Sequence, residues 1–220
     1  LSGLTLRLGA LAALVVAFVA FTFAVAGGSL NLFDQQVLQA VSGAWNPSLH
    51  PLFQAIAELA GVEVTSILMV ALVVFLVRNG PAADAWVLVA FGASQILETF
   101  YKTALHHPGP PRSVSHADGP SITELFGVST TPGNSFPSGH MVRAVVVYGL
   151  IAFVVRRLAP SRTARALAVP VMVVLILVEA FDRLYLDVHW ESDVIGGVLL
   201  GAVVLVSATI WLDRPRRPEN

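Results

Sequence analysis

Two histidines and an aspartate are the groups in this chain best suited to nucleophilic and acid–base chemistry. His189 precedes Asp193 by four residues, and His140 closes the run Pro137-Ser138-Gly139-His140. At that spacing a carboxylate can hold one imidazole nitrogen, fix the tautomer and present the other nitrogen as a nucleophile. The second histidine, His140, can then protonate a leaving alkoxide as general acid. The Pro-Ser-Gly-His run reads as the start of a helix, with Ser138 as the cap and free amide N–H groups beyond it. Such an end binds anions, helped by the helix dipole. Lys102 and Arg183 add two cations suited to phosphate oxygens, which arginine can grip as a bidentate fork. The chemistry implied is attack on a phosphoryl group.

These residues are scattered along the sequence, so a scaffold must bring them together. The chain has 220 residues, 55% hydrophobic and only 12% charged, and its mean hydropathy is +0.75. A soluble domain carries roughly 25% charged residues, so the scaffold belongs in a bilayer. Its length suits one domain over residues 1–220, all-α, with no separate soluble domain. Cysteine is absent, which excludes disulfides, thiolate nucleophiles and zinc–thiolate sites. A net charge of −1 gives no reason to expect nucleic acid as a partner.

Apolar runs of about 20 residues predict spanning helices. Six are expected, at approximately Leu4–Ala26, Val62–Val77, Ala82–Leu105, Gly139–Leu158, Ala166–Leu186 and Val194–Leu212. The second is short and can borrow residues from the segment before it. Ala24-Val25-Ala26 resembles a signal-peptidase site, but the apolar stretch before it is too long for a typical signal peptide and reads as a span. Nine of the 13 basic residues lie at one set of ends: Arg7, Arg78, Arg156, Arg157, Arg162, Arg165, Arg214, Arg216 and Arg217. The positive-inside rule makes those ends, and both termini, cytoplasmic. The chemical residues then fall on the outer face. Two segments lie outside as well. Asn31–Gly61 predicts amphipathic interfacial helices broken at Asn46-Pro47, and His106–Pro137 predicts an irregular functional loop.

In order and on one face, these motifs resemble the type 2 phosphatidic acid phosphatase and haloperoxidase superfamily, whose motifs read K-x6-R-P, P-S-G-H and S-R-x5-H-x3-D. The second is intact at Pro137–His140. The third appears as Arg183-x5-His189-x3-Asp193, with Asp182 in place of serine. The first departs, since Lys102-x6 leads to Gly109-Pro110. The resemblance implies a metal-independent, cofactor-free lipid phosphatase of the six-span membrane branch. His189 would form a phosphohistidine with Asp193 orienting it. His140 would protonate the departing lipid oxygen and then activate water. Lys102, Ser138, the Gly139 amide and Arg183 would hold the phosphate oxygens. Two arginines can replace the one missing at Gly109. Arg143 is expected as the main substitute, on the face of His140, with Arg112 of the loop second.

Structural readings compete at several positions. Lys102 can snorkel to headgroups, with Glu98 supporting it one helical turn away. Arg143 can pair with Glu98, and Arg183 with Glu179 or Asp187, while Asp182 can orient Arg183. His106, His107 and His116 fit solvated or hydrogen-bonded loop roles. Three rival functions are a catalytically impaired phospholipid-binding protein, a haem or metal redox protein, and a haloperoxidase. Retention of both histidines and Asp193 favours the phosphatase. Its expected substrate leans to polyprenyl (undecaprenyl-type) pyrophosphate in the outer leaflet. Phosphatidate and phosphatidylglycerol phosphate are the alternatives.

Overall fold

The computed structural model describes residues 3–111, 115–116 and 133–214. Those residues are almost entirely helical: α1 (Gly3–Ala26), α2 (Asn31–Ser42), α3 (His50–Leu59), α4 (Val62–Asn79), α5 (Val87–Ala104), α6 (Gly139–Leu158), α7 (Arg162–Tyr185) and α8 (Glu191–Leu212). Short 3-10 turns, Pro47–Leu49 and Ala82–Trp86, precede α3 and α5. Long helices thus occupy all six expected positions. The break at Asn46-Pro47 is also where expected, with Asn46 Oδ1 capping the turn by accepting from the Ser48 amide at 2.9 Å.

Hydropathy supports four of the six expected spans. Among the described residues, four stretches are long and apolar enough to cross a membrane: Gly3–Ala26, Pro47–Asn79, Arg162–Tyr185 and Glu191–Leu212. The second includes α3, so the short span does borrow from the segment before it. Helices α5 and α6 fall short, and the reason is physical. Hydropathy reports what lipid would see, whereas α6 is the centre of the bundle. Met141, Val142, Val146, Val147 and Leu150 are fully buried, and α4, α5, α7 and α8 all pack on this helix. A helix screened by protein can carry polar groups that a lipid-facing one cannot. Helix α5 also begins later than expected, because residues 82–86 wind as a 3-10 turn.

Helix α6 meets α8 along a seam of small residues. A Cβ at Gly197 would stand 2.6 Å from the Ser138 carbonyl oxygen, and one at Gly201 would stand 2.8 Å from Val145 Cβ. Those separations are far inside contact distance, so only glycine lets the two backbones approach this closely. In lipid, where apolar side chains gain nothing by leaving their solvent, such close packing drives helix association. The seam also fixes the site, because it holds the first turn of α6 beside the first turn of α8. By contrast α1 and α7 bury little of their surface. Exposed Leu6, Val16 and Phe23 of α1 and Val174 and Leu177 of α7 form the outer, lipid-compatible faces.

Candidate active site

The bundle gathers the three motifs at one end. Ser138 donates its amide N–H to the Asp193 carbonyl at 3.0 Å, joining the second motif to the third. The first motif is tied in by Asn134, whose side chain donates to the Lys102 carbonyl at 2.8 Å and accepts from the His107 amide at 3.1 Å. Trp190 Nε1 donates to the Pro108 carbonyl at 2.8 Å. Phe136 is fully buried beneath these links, stacked on Phe18 and meeting Tyr101 edge-on.

His189 lies in the short link between α7 and α8. Its Nδ1 is 3.3 Å from Asp193 Oδ2, as the spacing predicts. The same oxygen accepts from the Trp190 amide at 2.9 Å, so helix capping and ring orientation share one carboxylate. With Nδ1 turned to Asp193, Nε2 is the free nucleophilic nitrogen. Burial pushes the His189 imidazole below its ordinary pKa range, against the opposing pull of Asp193. That shift favours the neutral ring, the form that carries a lone pair.

His140, on the first turn of α6, is within electrostatic reach of Arg183, Arg143, His189 and Lys102. That convergence of three cations and two imidazoles is the site anticipated from the sequence. Arg183 is almost completely buried. Asp182 Oδ2 accepts from its Nε at 3.0 Å and also from a terminal nitrogen, and Glu179 Oε1 lies 3.3 Å from Nε. The orienting role open to Asp182 is therefore realised. Of the two other partners, the contact is to Glu179, while Asp187 pairs with Ser42 and His116.

Glu98 joins two of the cations. Its Oε1 accepts from Lys102 Nζ at 2.9 Å, and its Oε2 lies 3.3 Å from Arg143. A Cβ at Gly139 would stand 2.0 Å from Glu98 Oε1, so the missing side chain lets this carboxylate rest on the start of α6. A helix N-terminus favours an anion, and here the protein's own carboxylate takes that place. Arg143 further donates to the Ala60 carbonyl at 2.9 Å and lies 3.4 Å from His140 Nδ1. It is thus both the partner of Glu98 and a neighbour of the second histidine.

Ser138 departs from expectation. It occupies the N-cap position of α6, but its side chain makes no capping bond. The hydroxyl is buried with no hydrogen-bond partner among the described residues. Arg112 lies outside the described residues. Gly109 has room for a side chain, since a Cβ there would meet Ser135 Cβ at 3.3 Å, a contact relieved by a shift of a few tenths of an ångström.

Sequence reasoning grouped His107 with the loop histidines and passed over Asp34 and Ser192. His107 is in fact buried, with Nε2 3.4 Å from Asp193 Oδ1. Asp34 of α2 accepts from the Ser192 amide at 2.8 Å and its hydroxyl at 2.7 Å. These groups brace the residue beside Asp193 and Asp193 itself. Only the contact between α2 and α8 reveals them, since no spacing rule links residues so far apart in the chain.

Comparison with known proteins agrees with this fold. The fold superposes on the crystal structure of a transmembrane PAP2-type phosphatidylglycerolphosphate phosphatase from Bacillus subtilis. The TM-score is 0.79 with 21% identity, covering 95% of this chain and 98% of that one. Phosphatidylglycerophosphatase B of Bacillus subtilis (strain 168) is 38% identical over 72 residues, which span 32% of this chain and 35% of that protein. The family model described as PAP2 superfamily matches residues 84–217, the stretch that holds every catalytic candidate. The chain belongs to the PAP2 superfamily.

Proposed function

We propose that the protein is a lipid phosphatase working through a phosphohistidine at His189. The observation that carries this reading is His189 held by Asp193 at 3.3 Å, with His140, Lys102 and Arg183 close by. His189 Nε2 attacks phosphorus, the bond from phosphorus to the lipid oxygen breaks, and His140 gives that oxygen its proton. Water then attacks the phosphohistidine, loses a proton to His140, and releases inorganic phosphate and free His189. Arg183, Ser138, the Gly139 amide and Lys102 hold the phosphate oxygens, and substrate competes with Glu98 for Lys102. The groups named here need no metal, so turnover should persist in EDTA and stop with vanadate, which mimics five-coordinate phosphorus.

The two named relatives support a glycerolipid phosphate, phosphatidylglycerol phosphate first, as the substrate. Phosphate release from a panel of phosphatidylglycerol phosphate, phosphatidate and undecaprenyl pyrophosphate tests this. Fastest turnover of phosphatidylglycerol phosphate is expected. Preference for the polyprenyl lipid would reverse the substrate assignment. Binding of all three without release would make the protein a phospholipid-binding member of its superfamily.

Arg143 stands in for the arginine missing at Gly109. Arg143→Ala should lower kcat/KM by roughly 10²-fold, and adding Gly109→Arg should return part of the loss. If the second change returns nothing, Arg143 acts by holding Glu98 and His140 rather than by supplying charge to phosphate.

The site faces outward, with the arginine-rich ends in the cytoplasm. The basic residues support this orientation, and the absence of native cysteine makes it easy to test. On intact cells an impermeant thiol reagent should label Ser115→Cys and spare Ser161→Cys. The opposite pattern would invert the topology.

A further inference from the structure

At the end of the bundle away from the histidines, a cavity of about 600 Å³ opens between α6, α7 and α8. Helices α7 and α8 both pack on α6 but scarcely touch one another, which leaves the gap. The walls are apolar: Phe153 of α6, Val169 and Met172 of α7, and Leu205 and Val206 of α8. Gly149 and Ala152 add no bulk on the α6 side. Thr209 of α8 also lines the cavity, its hydroxyl donating to the Val206 carbonyl at 2.9 Å.

The mouth has the opposite character. Arg7, Arg156, Arg157 and Asp213 line it, three guanidinium groups against one carboxylate. Arg7 and Arg157 both bond Asp213, and Arg157 also donates to the Leu212 carbonyl. Arg156 is exposed and has no partner among the described residues. A net positive mouth above an apolar slot selects a molecule that is anionic at one end and hydrocarbon along the rest. Basic pockets between membrane helices bind anionic headgroups on these terms.

We propose that this cavity binds an anionic glycerophospholipid, with an acyl chain between α7 and α8 and the phosphate at Arg156 and Arg7. It is a second lipid site, distinct from the catalytic one. His140 and Arg156 are sixteen residues apart on α6, about 24 Å at 1.5 Å per residue. The assignment stands on cavity and charge, and does not depend on the phosphatase reading.

The test uses the full chain in neutral detergent with equal amounts of dioleoylphosphatidylglycerol and dioleoylphosphatidylcholine, and reads retained lipid by intact-protein mass spectrometry. Phosphatidylglycerol should be retained over phosphatidylcholine by roughly tenfold. Arg156→Gln, at an exposed position without a partner among the described residues, should fold normally and lose most of that preference. Ala152→Phe should fill the slot and lose bound lipid of either kind. Lys102→Gln, in the catalytic site, should leave retention unchanged. Equal retention of the two lipids by the unaltered protein would overturn the proposal. So would a preference that survives Arg156→Gln, or one lost in Lys102→Gln instead, which would put the lipid at the catalytic end.

Discussion

His189→Ala should abolish turnover, with a loss on the order of 10⁶-fold in kcat, the scale seen when a covalent nucleophile is removed. His189 sits in the short link between α7 and α8 and its one hydrogen-bond partner among the described residues is Asp193, so the variant should fold and still bind lipid phosphate through Lys102 and Arg183. A rapid acid-free quench of the unaltered protein with radiolabelled substrate should trap label on His189. Phosphohistidine is lost in acid and stable in base, which separates it from a phosphoserine at Ser138. Substantial turnover by His189→Ala would remove the covalent mechanism altogether. Label that survives acid would move the nucleophile to a hydroxyl.

Asp193→Asn should cost roughly 10⁴-fold in kcat, for two reasons that can be separated. The amide can turn its NH₂ toward Nδ1 and favour the wrong tautomer, which is the larger effect. It also withdraws the negative charge that raises the His189 pKa against burial. The sign of the second effect follows directly. His189 attacks as the neutral ring, so the rate falls as pH drops through its pKa. That pKa is already below the ordinary histidine range, so the acidic limb of the unaltered enzyme should lie below about pH 6.5. Without Asp193 the ring is harder to protonate, and the limb should move to still lower pH while the plateau collapses. A limb that moves upward would mean that Asp193 does not act on His189. Because Asp193 also accepts from the Trp190 amide, thermal stability should be measured in parallel. A folding defect alone would lower the plateau without moving the limb.

The residues proposed for catalysis were legible because their pairing depends on local spacing. His189 and Asp193 meet over four residues, Glu98 and Lys102 over one helical turn, and the Pro-Ser-Gly-His run does begin α6 at Gly139. The long helices were legible for the same reason, since an apolar run is a local property. What escaped was set by packing between distant segments. The roles of His107, Asp34 and Ser192 depend on α2 and residues 106–108 meeting the start of α8. The Ser138 hydroxyl was misjudged because cap propensity speaks only of the helix it starts, and at the junction of α6 and α8 its amide is committed to Asp193. Hydropathy marks only four of the six long helices for a related reason. Apolar content measures exposure to lipid, and α6 has protein on nearly every side.

The central position of α6 also bears on how the chain is made. During synthesis α6 emerges before α7 and α8, which form much of its final surroundings. At that moment His140 and Arg143, in the first two turns of α6, would face lipid or the translocation machinery, where an unpaired charge is costly. Residence of α6 in the bilayer therefore depends on segments not yet translated, and above all on α8, whose glycines admit its backbone. Chains cut short before Glu191 should lack the companion that makes this helix tolerable to a membrane. The residues proposed for catalysis thus make insertion a cooperative event rather than a sequence of independent ones.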